Sequence, residues 1–419
     1  MKIKNIRIST ILVAAAILCV GLSALAQKRT FPEPPPFVNP TGDEMMISAT
    51  LAFSQPELMT REKYLELKEC GFNMGSAYMY ARVVDQALEA MEGTGIKMAL
   101  ACWEALDTNK MESVLAKYRD NPLIGRINVA DEPTVSKFQK VKKIKDKMEA
   151  LNLPYMTTIN LLPEVAPEQM EAPDYRTYVE EFVSTVNPPF LSFDCYPISA
   201  RKDGSVTVYK NYYNTLEVIS DVARKSNRPF FAYVLCNQHR SYPKPTRDFL
   251  RFQIFSQLAY GVQGLSFYTY CIPDYDKNDD YRNAPLDKQG NKTDVWYMVR
   301  DVLKEFKNVE NIFFGAEVLD VNHTGSNIPK GTKRLGNKNI PAPFKNISSS
   351  GEGVIVSHLK NGENEYLMFV NRDVVNRQKV NFDLSRPVIR VTPQGRKRRE
   401  NSRSVNLTPG GYAIYKLND

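Results

Sequence analysis

Short apolar runs and amphipathic segments alternate along most of this chain, and the alternation completes eight cycles. Each apolar run has the length of a buried strand, and each following segment has apolar residues at the spacing of a helix face. Strands joined by helices pair in parallel, so this order predicts a parallel sheet. Eight units favour a closed (β/α)₈ barrel over an open doubly wound sheet, because no glycine-rich phosphate loop is present. The predicted strands are 46–53, 73–79, 97–103, 123–130, 154–160, 189–196, 229–236 and 263–270.

The pattern changes near residue 320. Beyond it, short β-type runs are separated by Asn, Gly and Pro turns, without a helical period. These runs, at 354–359, 366–370, 379–384, 387–392 and 412–417, predict a small antiparallel β domain. We therefore predict an α/β barrel followed by a β domain. The predicted parts are a signal peptide over 1–26, a Pro-rich lead-in over 27–43, the barrel over 44–320 and a sandwich-like β domain over 321–419.

The first residues have the features of a secretory signal. Three basic residues precede an apolar run over 11–22, and an Ala-Leu-Ala sequence ending at Ala26 matches a cleavage site. The run is shorter than the roughly 20 residues that cross a bilayer, so we expect no transmembrane segment. We predict export to the periplasm or the medium. Lipid anchoring through Cys19 is the less favoured alternative, because Leu18 stands where a lipidation signal has a small residue.

The composition argues against nucleic-acid binding and against a bound metal or cofactor. The formal net charge of +8 is spread along the chain apart from one cluster, Arg396 to Arg399, which we interpret as a solvated loop. Nucleic-acid binding is therefore not expected. Apart from Cys19 the cysteines are widely spaced, no CxxC or HxxxH pattern occurs, and only three His are present. We expect no metal and no cofactor. The sequence does not indicate an oligomeric state.

The carboxyl ends of the predicted strands carry aromatic and acidic residues. In a barrel of this kind the working residues lie at those ends and on the loops that follow. Aromatic rings stack on the apolar faces of sugars, and paired carboxyl groups perform acid/base chemistry on glycosidic bonds. The pattern therefore predicts a carbohydrate substrate. The carboxyl candidates are Glu104, Asp131, Glu132 and Asp194, and the other substrate-binding candidates are Tyr78, Trp103, Tyr196, Gln238, His239, Tyr268 and Tyr270.

Strand alternation predicts which carboxyl groups face the lumen, because successive side chains point to opposite faces. Ile127 and Val129 should pack outward, so Glu132 is expected to face the lumen and Asp131 is not. The same argument turns Asp194 inward on the sixth strand. On the third strand it turns Trp103 inward and Glu104 away. The period therefore favours Glu132 and Asp194 as the catalytic pair, with Asp131 left to substrate binding.

Several short segments resemble clan A glycoside hydrolases, and in particular their β-galactosidase-like members. Ala130-Asp131-Glu132-Pro133 is similar to their Asn-Glu-Pro sequence, whose Glu is the general acid/base. The resemblance implies a glycosidase in which Glu132 has that role. The other similar segments, in matching order along the chain, are 67–73 at the start of strand two, Asp194 to Pro197, 264–270 and 285–296.

Two departures limit this resemblance. The seventh strand ends in Leu-Cys-Asn-Gln-His over 235–239, with no carboxylate where clan A enzymes carry the nucleophile. Asp131 also replaces the Asn that usually binds the sugar 2-hydroxyl. Glu132 is therefore the one catalytic residue that the resemblance transfers. If Glu132 and Asp194 act together, we expect inversion, with carboxyl groups roughly 6.5–9.5 Å apart.

Three functional classes follow from these patterns. The expected class is a glycoside hydrolase, and the main alternative is a non-catalytic carbohydrate-binding barrel that has lost its nucleophile. A barrel enzyme of another chemistry, such as a lyase or an esterase, is the third, because a fold alone does not fix a reaction. Structural roles also compete at single positions. Glu132 could serve as the acid at the start of the next helix, Asp194 as a hydrogen-bonded residue inside the mouth, and the aromatic rings as core.

Overall fold

The computed structural model describes residues 30–273 and 280–418. The predicted signal peptide over 1–26 lies outside the described residues. From Glu33 onward the chain forms one compact unit. Within the described ranges, no helix combines the length and the apolar character that crossing a bilayer requires.

Eight parallel strands close into a barrel, as the alternating pattern predicts. Around the barrel they follow the chain order, and the last strand pairs with the first. A two-stranded hairpin, β7 (Ile198–Ala200) and β8 (Val206–Val208), lies after the sixth barrel strand. The barrel strands are β1 (Met46–Thr50), β2 (Met74–Met79), β3 (Lys97–Cys102), β4 (Ile124–Asp131), β5 (Met156–Leu161), β6 (Leu191–Phe193), β9 (Phe230–Leu235) and β10 (Gly264–Tyr268).

Helices return the chain between the strands, and side-chain caps fix where several of them begin. Thr60 and Thr246 each accept a hydrogen bond from the amide three residues later, as N-cap residues do. Gly71 ends the first helix at a φ of 110°, a conformation that glycine adopts without a Cβ clash. The described helices are α1 (Arg61–Cys70), α2 (Ala81–Met91), α3 (Trp103–Leu106), α4 (Met111–Ala116), α5 (Phe138–Ala150), α6 (Pro167–Met170), α7 (Tyr175–Val186), α8 (Tyr212–Lys225), α9 (Arg247–Ala259), α10 (Asp294–Lys307) and α11 (Glu310–Phe313), with 3₁₀ turns at Pro56–Leu58, Val135–Lys137 and Asn337–Asn339.

The amino-terminal end of the barrel is closed by an apolar layer. Phe37, from the Pro-rich lead-in, lies edge-on to Phe190 and Phe231, with ring centroids 5.9 and 5.7 Å away. Gly125 lets Pro40 approach the barrel, because a Cβ there would lie 2.7 Å from the proline ring. The lead-in is thus a plug for this end as well as a connection. The buried layer consists of Met46, Met74, Ala99, Met156, Phe190 and Phe231.

The chain after the barrel forms two antiparallel sheets with one shared core. The predicted boundary at 320 falls inside β11, whose partner β13 belongs to the β domain. The basic cluster lies on β17, an exposed edge strand, and not on a loop as expected; charged side chains on an edge discourage pairing with other chains. The strands are β11 (Glu317–His323), β12 (Phe344–Ser349), β13 (Val354–Asn361), β14 (Asn364–Asn371), β15 (Gln378–Leu384), β16 (Val388–Val391), β17 (Lys397–Glu400), β18 (Ser404–Leu407) and β19 (Tyr412–Lys416).

The β domain covers one flank of the barrel at helix α9. Phe255 of α9 stacks on Tyr412 of β19, and Ser357 of β13 donates a hydrogen bond of 2.7 Å to the carbonyl of Ala259. This contact explains why α9 is buried on almost every side. Phe252, Phe255 and Tyr260 are core residues, as their helical spacing indicates.

Candidate active site at the barrel mouth

Three carboxyl groups meet at the carboxyl end of the barrel. Asp131 is the last residue of β4, Glu132 follows it, and Asp194 comes directly after β6. A hydrogen bond joins the carboxyl groups of Glu132 and Asp194, and Asp131 is close enough to raise the pKa of both. The structure therefore brings together Glu132 and Asp194, which strand alternation predicts to face the lumen, and also Asp131, which it predicts to point away.

Asp131 faces the mouth because strand β4 contains a bulge. The pairing of β4 with β5 shifts between Asn128 and Ala130, which leaves one residue of β4 without a partner. Beyond such a bulge the alternation of side chains changes phase. Asp131 then pairs with Asn160 and accepts a hydrogen bond of 3.2 Å from its side chain. The expectation that Asp131 points away from the lumen is wrong for this reason.

The backbone at Glu132 is held in an uncommon conformation. Its φ is +46°, in the left-handed region that non-glycine residues rarely adopt, and its amide donates to the carbonyl of Asn160 at 2.9 Å. Glu132 does not cap the next helical turn. The carboxylate that accepts from the amide of Ser136 in that turn belongs to Glu171, at 2.9 Å. The alternative role of Glu132 as an N-terminal acid therefore has no support in these contacts.

Burial raises the pKa of Glu132, and the neighbouring Asp131 raises it further. Burial also raises the pKa of Asp194 well above its ordinary value, with Glu132 and Asp131 adding to the effect. Asp131 and Glu132 reach solvent through the open mouth, but the barrel wall encloses them on other sides. Like charges in contact cannot both ionise freely, so the Glu132–Asp194 pair retains a proton above the usual range for carboxyl groups.

The direct hydrogen bond is inconsistent with the spacing expected for inversion. An inverting pair stands roughly 6.5–9.5 Å apart, so that a water molecule and the sugar fit between the two groups. Here the carboxyl groups of Glu132 and Asp194 touch each other. One oxygen of Asp194, Oδ1, is buried without a hydrogen-bond partner. A ligand or a water molecule that donates to this oxygen would relieve the cost of burying it.

Asn160 connects all three carboxyl groups, and the sequence patterns did not single it out. Its carbonyl accepts from the amide of Glu132, and its side chain donates to Asp131 and lowers the pKa of Asp194 by a further hydrogen bond. Ser192 donates to the Asn160 Oδ1 at 3.0 Å and fixes the orientation of the amide. Strand alternation could have found Asn160, because it is a polar residue at the lumen-facing end of β5.

Trp103 and Tyr78 form one aromatic wall of the mouth. Their rings stack with centroids 5.1 Å apart and an interplanar angle of 17°. Trp103 is 51% exposed, unusual for a large apolar side chain, so the stack presents an open ring surface. Glu104, the next residue, lies with Trp103 in helix α3, beyond the end of β3, so strand alternation does not decide its direction. It accepts from the amide of Ala81 at 3.1 Å and thereby caps helix α2.

A second aromatic group lies around the ends of β6, β9 and β10. Tyr196 and Tyr268 are near-parallel, with centroids 6.0 Å apart. The hydroxyl groups of Tyr268 and Tyr281 are hydrogen-bonded. His239 lies 4.8 Å from the ring of Tyr281, and its Nδ1 is 2.7 Å from the Oδ1 of Asn237. The structure thus brings Tyr196, Tyr268 and His239 together.

Tyr270 does not belong to this group, which corrects the prediction. Strand β10 ends at Tyr268, so alternation does not extend to Tyr270. Its ring is fully buried against Phe53 and Phe72, and its hydroxyl accepts from the indole nitrogen of Trp296 at 2.9 Å. Tyr270 is part of the core between the barrel and helix α10.

The chain after β9 is occupied by internal hydrogen bonds. Gln238 accepts a hydrogen bond of 2.6 Å from Asn283, and Asn237 donates to Thr269 at 3.2 Å. Cys236 is buried, and its thiol lies 3.2 Å from the carbonyl of Thr269. These residues order the wall of the mouth, and Gln238 and its partner Asn283 are partly exposed.

The cysteines and acids do not form a metal centre in the described ranges. Across 30–273 and 280–418, no group of three or more His, Cys, Asp or Glu side chains has the arrangement of a metal site. The cysteines in these ranges are buried, and no disulfide bond joins any of them. Burial raises the pKa of Cys195 and Cys236, which keeps these thiols protonated.

A cavity of about 1040 Å³ lies on the barrel flank, between α7, α8 and β11. The mouth carboxyl groups are not in its lining. One of its lining acids, Asp221, is already paired with Arg176, Arg224 and Lys225 at 2.7 Å each. Unlike this cavity, the mouth combines adjacent carboxyl groups with exposed aromatic rings, so the mouth is the better candidate for chemistry.

Comparison with known proteins identifies this architecture with that of glycosidases. The fold is similar to that of a β-galactosidase from Bacillus circulans sp. alkalophilus (TM-score 0.60, 10% identity, 91% of this chain and 100% of that chain). It is also similar to a family 42 β-galactosidase from G. stearothermophilus (TM-score 0.56, 8% identity, 92% and 100% covered). A family 5 glycoside hydrolase from Bacteroides vulgatus has a TM-score of 0.56 at 10% identity, with 90% and 89% covered.

At these identities the likeness shows the fold alone. No family model matches the chain, and no curated protein matches it either. The class that the fold defines is therefore a closed (β/α)₈ barrel followed by a β domain, as in these glycoside hydrolases. Its chemistry has to be argued from the mouth.

Proposed function

We propose that this protein is an exported glycoside hydrolase in which Glu132 is the general acid/base. The observation that carries the proposal is the hydrogen-bonded pair of Glu132 and Asp194 at the barrel mouth, next to Asp131. A general acid for a glycosidic oxygen must hold a proton near neutral pH, and burial beside other carboxyl groups provides that. Export rests on the signal-like sequence over 1–26.

Asp194 supports Glu132 in this scheme. Asp194 is the more deeply buried of the two, so it retains its proton more strongly and donates the hydrogen bond to Glu132. Glu132 is exposed to the open mouth and is the group that can reach a substrate. Glu132 delivers its own proton to the leaving oxygen, and the carboxylate that remains accepts the hydrogen bond from Asp194, which stays protonated.

The aromatic walls support a sugar as the substrate. The open face of the Trp103–Tyr78 stack suits the apolar face of a pyranose, and the rings of Tyr196 and Tyr268 offer a second such surface. Polar groups beside stacked rings are typical of carbohydrate sites, where hydroxyl groups need hydrogen-bond partners. The β-galactosidases with similar folds agree with this class of ligand.

A carbohydrate-binding barrel without activity is the second candidate. The specific observation that favours it is the chain after β9, where residues 230–240 contain no Asp or Glu to serve as the usual nucleophile. On that reading the aromatic walls bind sugar and the carboxyl groups bind hydroxyl groups. The glycoside hydrolase hydrolyses its sugar ligand and the binding barrel does not, so measuring turnover before and after a substitution of Glu132 distinguishes the two candidates.

The test is a screen of aryl glycosides and oligosaccharides, followed by Glu132→Gln on any hit. We expect turnover to fall about 10²–10⁴-fold because the proton donor is lost. Sugar affinity, measured by calorimetry, should change little. Asp43→Asn is the matched control, since Asp43 is an exposed acid just before β1, at the opposite end of the barrel. Binding without turnover in the unaltered protein would establish the non-catalytic candidate instead.

A further inference from the structure

Most of the net charge of the chain lies in its last strands. Residues 385–418 contain eight Lys and Arg and one acid, Glu400, so this stretch has a formal charge of +7 in a chain whose total is +8. The remaining sequence is therefore close to neutral. Charge of one sign that is concentrated on one part of a surface attracts ions of the opposite sign far more strongly than the same charge spread over the whole molecule.

The fold brings most of these basic residues to one edge of the six-stranded sheet. That sheet ends in the order β19-β16-β17, so β17 has a neighbouring strand on one side only. Residues 396–399, directly before and within β17, are exposed. Lys416 of β19 and Arg399 of β17 are both paired with Ile389 of β16, which places their side chains on the same face of the sheet. We refer to Arg390, Arg396, Lys397, Arg398, Arg399 and Lys416 as the basic edge.

Acids of the same chain leave most of the basic edge unneutralised. In the described part of the chain, Glu400 is the one acid that pairs with this group, and its carboxylate lies 3.5 Å from the guanidinium group of Arg390. Arg390 and Arg398 stand directly opposite each other on β16 and β17. Like charges in that position destabilise a sheet. An anion bound at this edge would relieve the repulsion.

Protection of the sheet edge explains only part of this arrangement. Charged side chains on an edge strand discourage pairing with other chains. That role accounts for charges on β17, but it does not require Arg390 on β16 or Lys416 on β19, two strands from the edge. Three of the four residues at 396–399 are Arg. The planar guanidinium group of Arg forms paired hydrogen bonds with carboxylate and phosphate-like anions, which a Lys side chain does not. These features indicate recognition of an anion.

We propose that the basic edge binds a linear polysaccharide that carries carboxylate or sulfate groups. This inference goes beyond hydrolysis at the mouth, and it rests on the proposed glycosidase function only for the choice of a sugar polymer as the anion. Successive residues of a strand stand about 3.3 Å apart, so Lys397 to Arg399 form a row of positive charges along β17. Such a row matches a polymer with repeated negative charges better than it matches one small anion. The β domain thereby holds the polymer on which the mouth acts.

Two other anionic partners fit this surface less well. The exposed large apolar side chains of the described residues all lie outside 385–418, whereas stable attachment to a membrane needs apolar insertion or a lipid in addition to basic residues. The exposed aromatic rings, those of Tyr80, Trp103 and Tyr297, belong to the barrel. Single-stranded nucleic acids are bound largely by stacking of bases on such rings. An acidic polysaccharide requires neither feature at the basic edge.

The test compares charged polymers with neutral forms of the same sugar chain. The pairs are polygalacturonate with its methyl ester, and dextran sulfate with dextran. We expect the charged form to bind and the neutral form not to bind, as measured by calorimetry. Raising the salt concentration from about 0.1 to 1 M should abolish binding, because the Debye length falls from roughly 10 to 3 Å. Vesicles of phosphatidylglycerol and phosphatidylcholine in equal parts, and duplex DNA, are the probes for the other partners.

Matched variants locate the binding surface. Lys397→Gln/Arg399→Gln removes two charges of the basic edge, and Lys140→Gln/Lys143→Gln removes two exposed charges of helix α5 as the control. We expect the first variant to lose about 10-fold or more in affinity for the charged polymer, and the control to lose little. Lys397→Arg/Arg399→Lys keeps the charge and should bind like the unaltered protein. All three variants should retain the melting temperature, because the substituted side chains are exposed.

Three results would overturn the inference. The first is that neither charged polymer binds better than its neutral form, and the second is an equal loss of affinity in the two Gln variants. The third is tighter binding to the vesicles or to DNA at the same salt concentration, which would assign the basic edge to a membrane or a nucleic acid. The glycosidase proposal is tested separately, by turnover of small neutral glycosides and its loss in Glu132→Gln. That turnover does not require the basic edge, so either proposal can fail while the other stands.

Discussion

The two ends of the barrel are built from different side chains. At the amino-terminal end Met46, Met74 and Phe231 interlock with Phe37 from the lead-in, and every member of that layer is apolar. At the carboxyl end three carboxyl groups meet, and the buried Oδ1 of Asp194 has no hydrogen-bond partner. The first arrangement stabilises the fold by burying apolar surface, and the second opposes it by burying charge.

Polar groups begin well below the mouth. Arg126 lies fully buried inside the barrel, where it donates to Ser48 at 3.2 Å, and Asn128 donates to Ser76 at 3.1 Å. Burial lowers the pKa of Arg126. The difference between the two ends indicates that stability and function are separated along the barrel axis. Substitutions at the apolar end should therefore lower stability without changing turnover of the folded fraction, whereas substitutions at the mouth should lower activity without a large loss of stability.

The largest change in stability is expected from a substitution at the apolar, amino-terminal end of the barrel. Phe231→Ala removes a ring that packs 4.5 Å from Phe190 and covers Gly264. We expect the free energy of unfolding to fall by about 3–5 kcal/mol, as for other buried Phe residues, while kcat of the folded fraction is unchanged. Urea unfolding followed by fluorescence measures the first quantity. Val38→Ala, at a side chain 65% exposed, is the control and should shift the midpoint little. A parallel loss of kcat would show that the two ends are coupled.

At the mouth we expect a smaller change in stability and in the opposite direction, because removing a buried acid there should stabilise the fold. Burial and neighbouring acids raise the pKa of Asp194 in the folded protein, so its ionisation opposes folding. That opposition is absent below the ordinary Asp pKa of 3.8 and grows as the pH rises from there towards the folded value. Asp194→Asn should therefore raise the melting temperature at neutral pH and have little effect near pH 3, while turnover falls. Equal melting temperatures at all pH values would contradict the assigned burial of charge.

The smallest effect on stability is expected at Trp103. Because its side chain is 51% exposed, Trp103→Ala should change the unfolding free energy only by the loss of stacking on Tyr78, about 1 kcal/mol. If the ring binds sugar, KM should rise several-fold with little change in kcat. Tyr80→Ala is the control, since Tyr80 is also exposed, at 56%, and stands at the start of α2. Identical kinetics for both variants would remove Trp103 from the substrate site.

The sequence predicted the barrel strands closely because their apolar runs and intervening helical faces are both periodic. It missed β7, β8, β11, β12, β17 and β18, which are short or largely exposed and therefore lack a clear apolar period. It also extended the alternation of β10 to Tyr270, beyond the point where the strand ends. At the site the sequence analysis singled out Glu132 and Asp194 but not Asn160: alternation turns Asn160 towards the lumen, but it does not indicate which side chains a single polar residue will contact.

The amino-acid sequence by itself determined the closed barrel, the β domain after it and the acids at the strand ends, because burial of apolar faces fixes strand and helix positions locally. Only the tertiary structure decided which acids meet. The bulge in β4 turns Asp131 into the mouth, and the closure of the barrel brings β6 close enough for Asp194 to touch Glu132. Such contacts depend on register and closure between strands that are far apart in the chain, which no local pattern encodes.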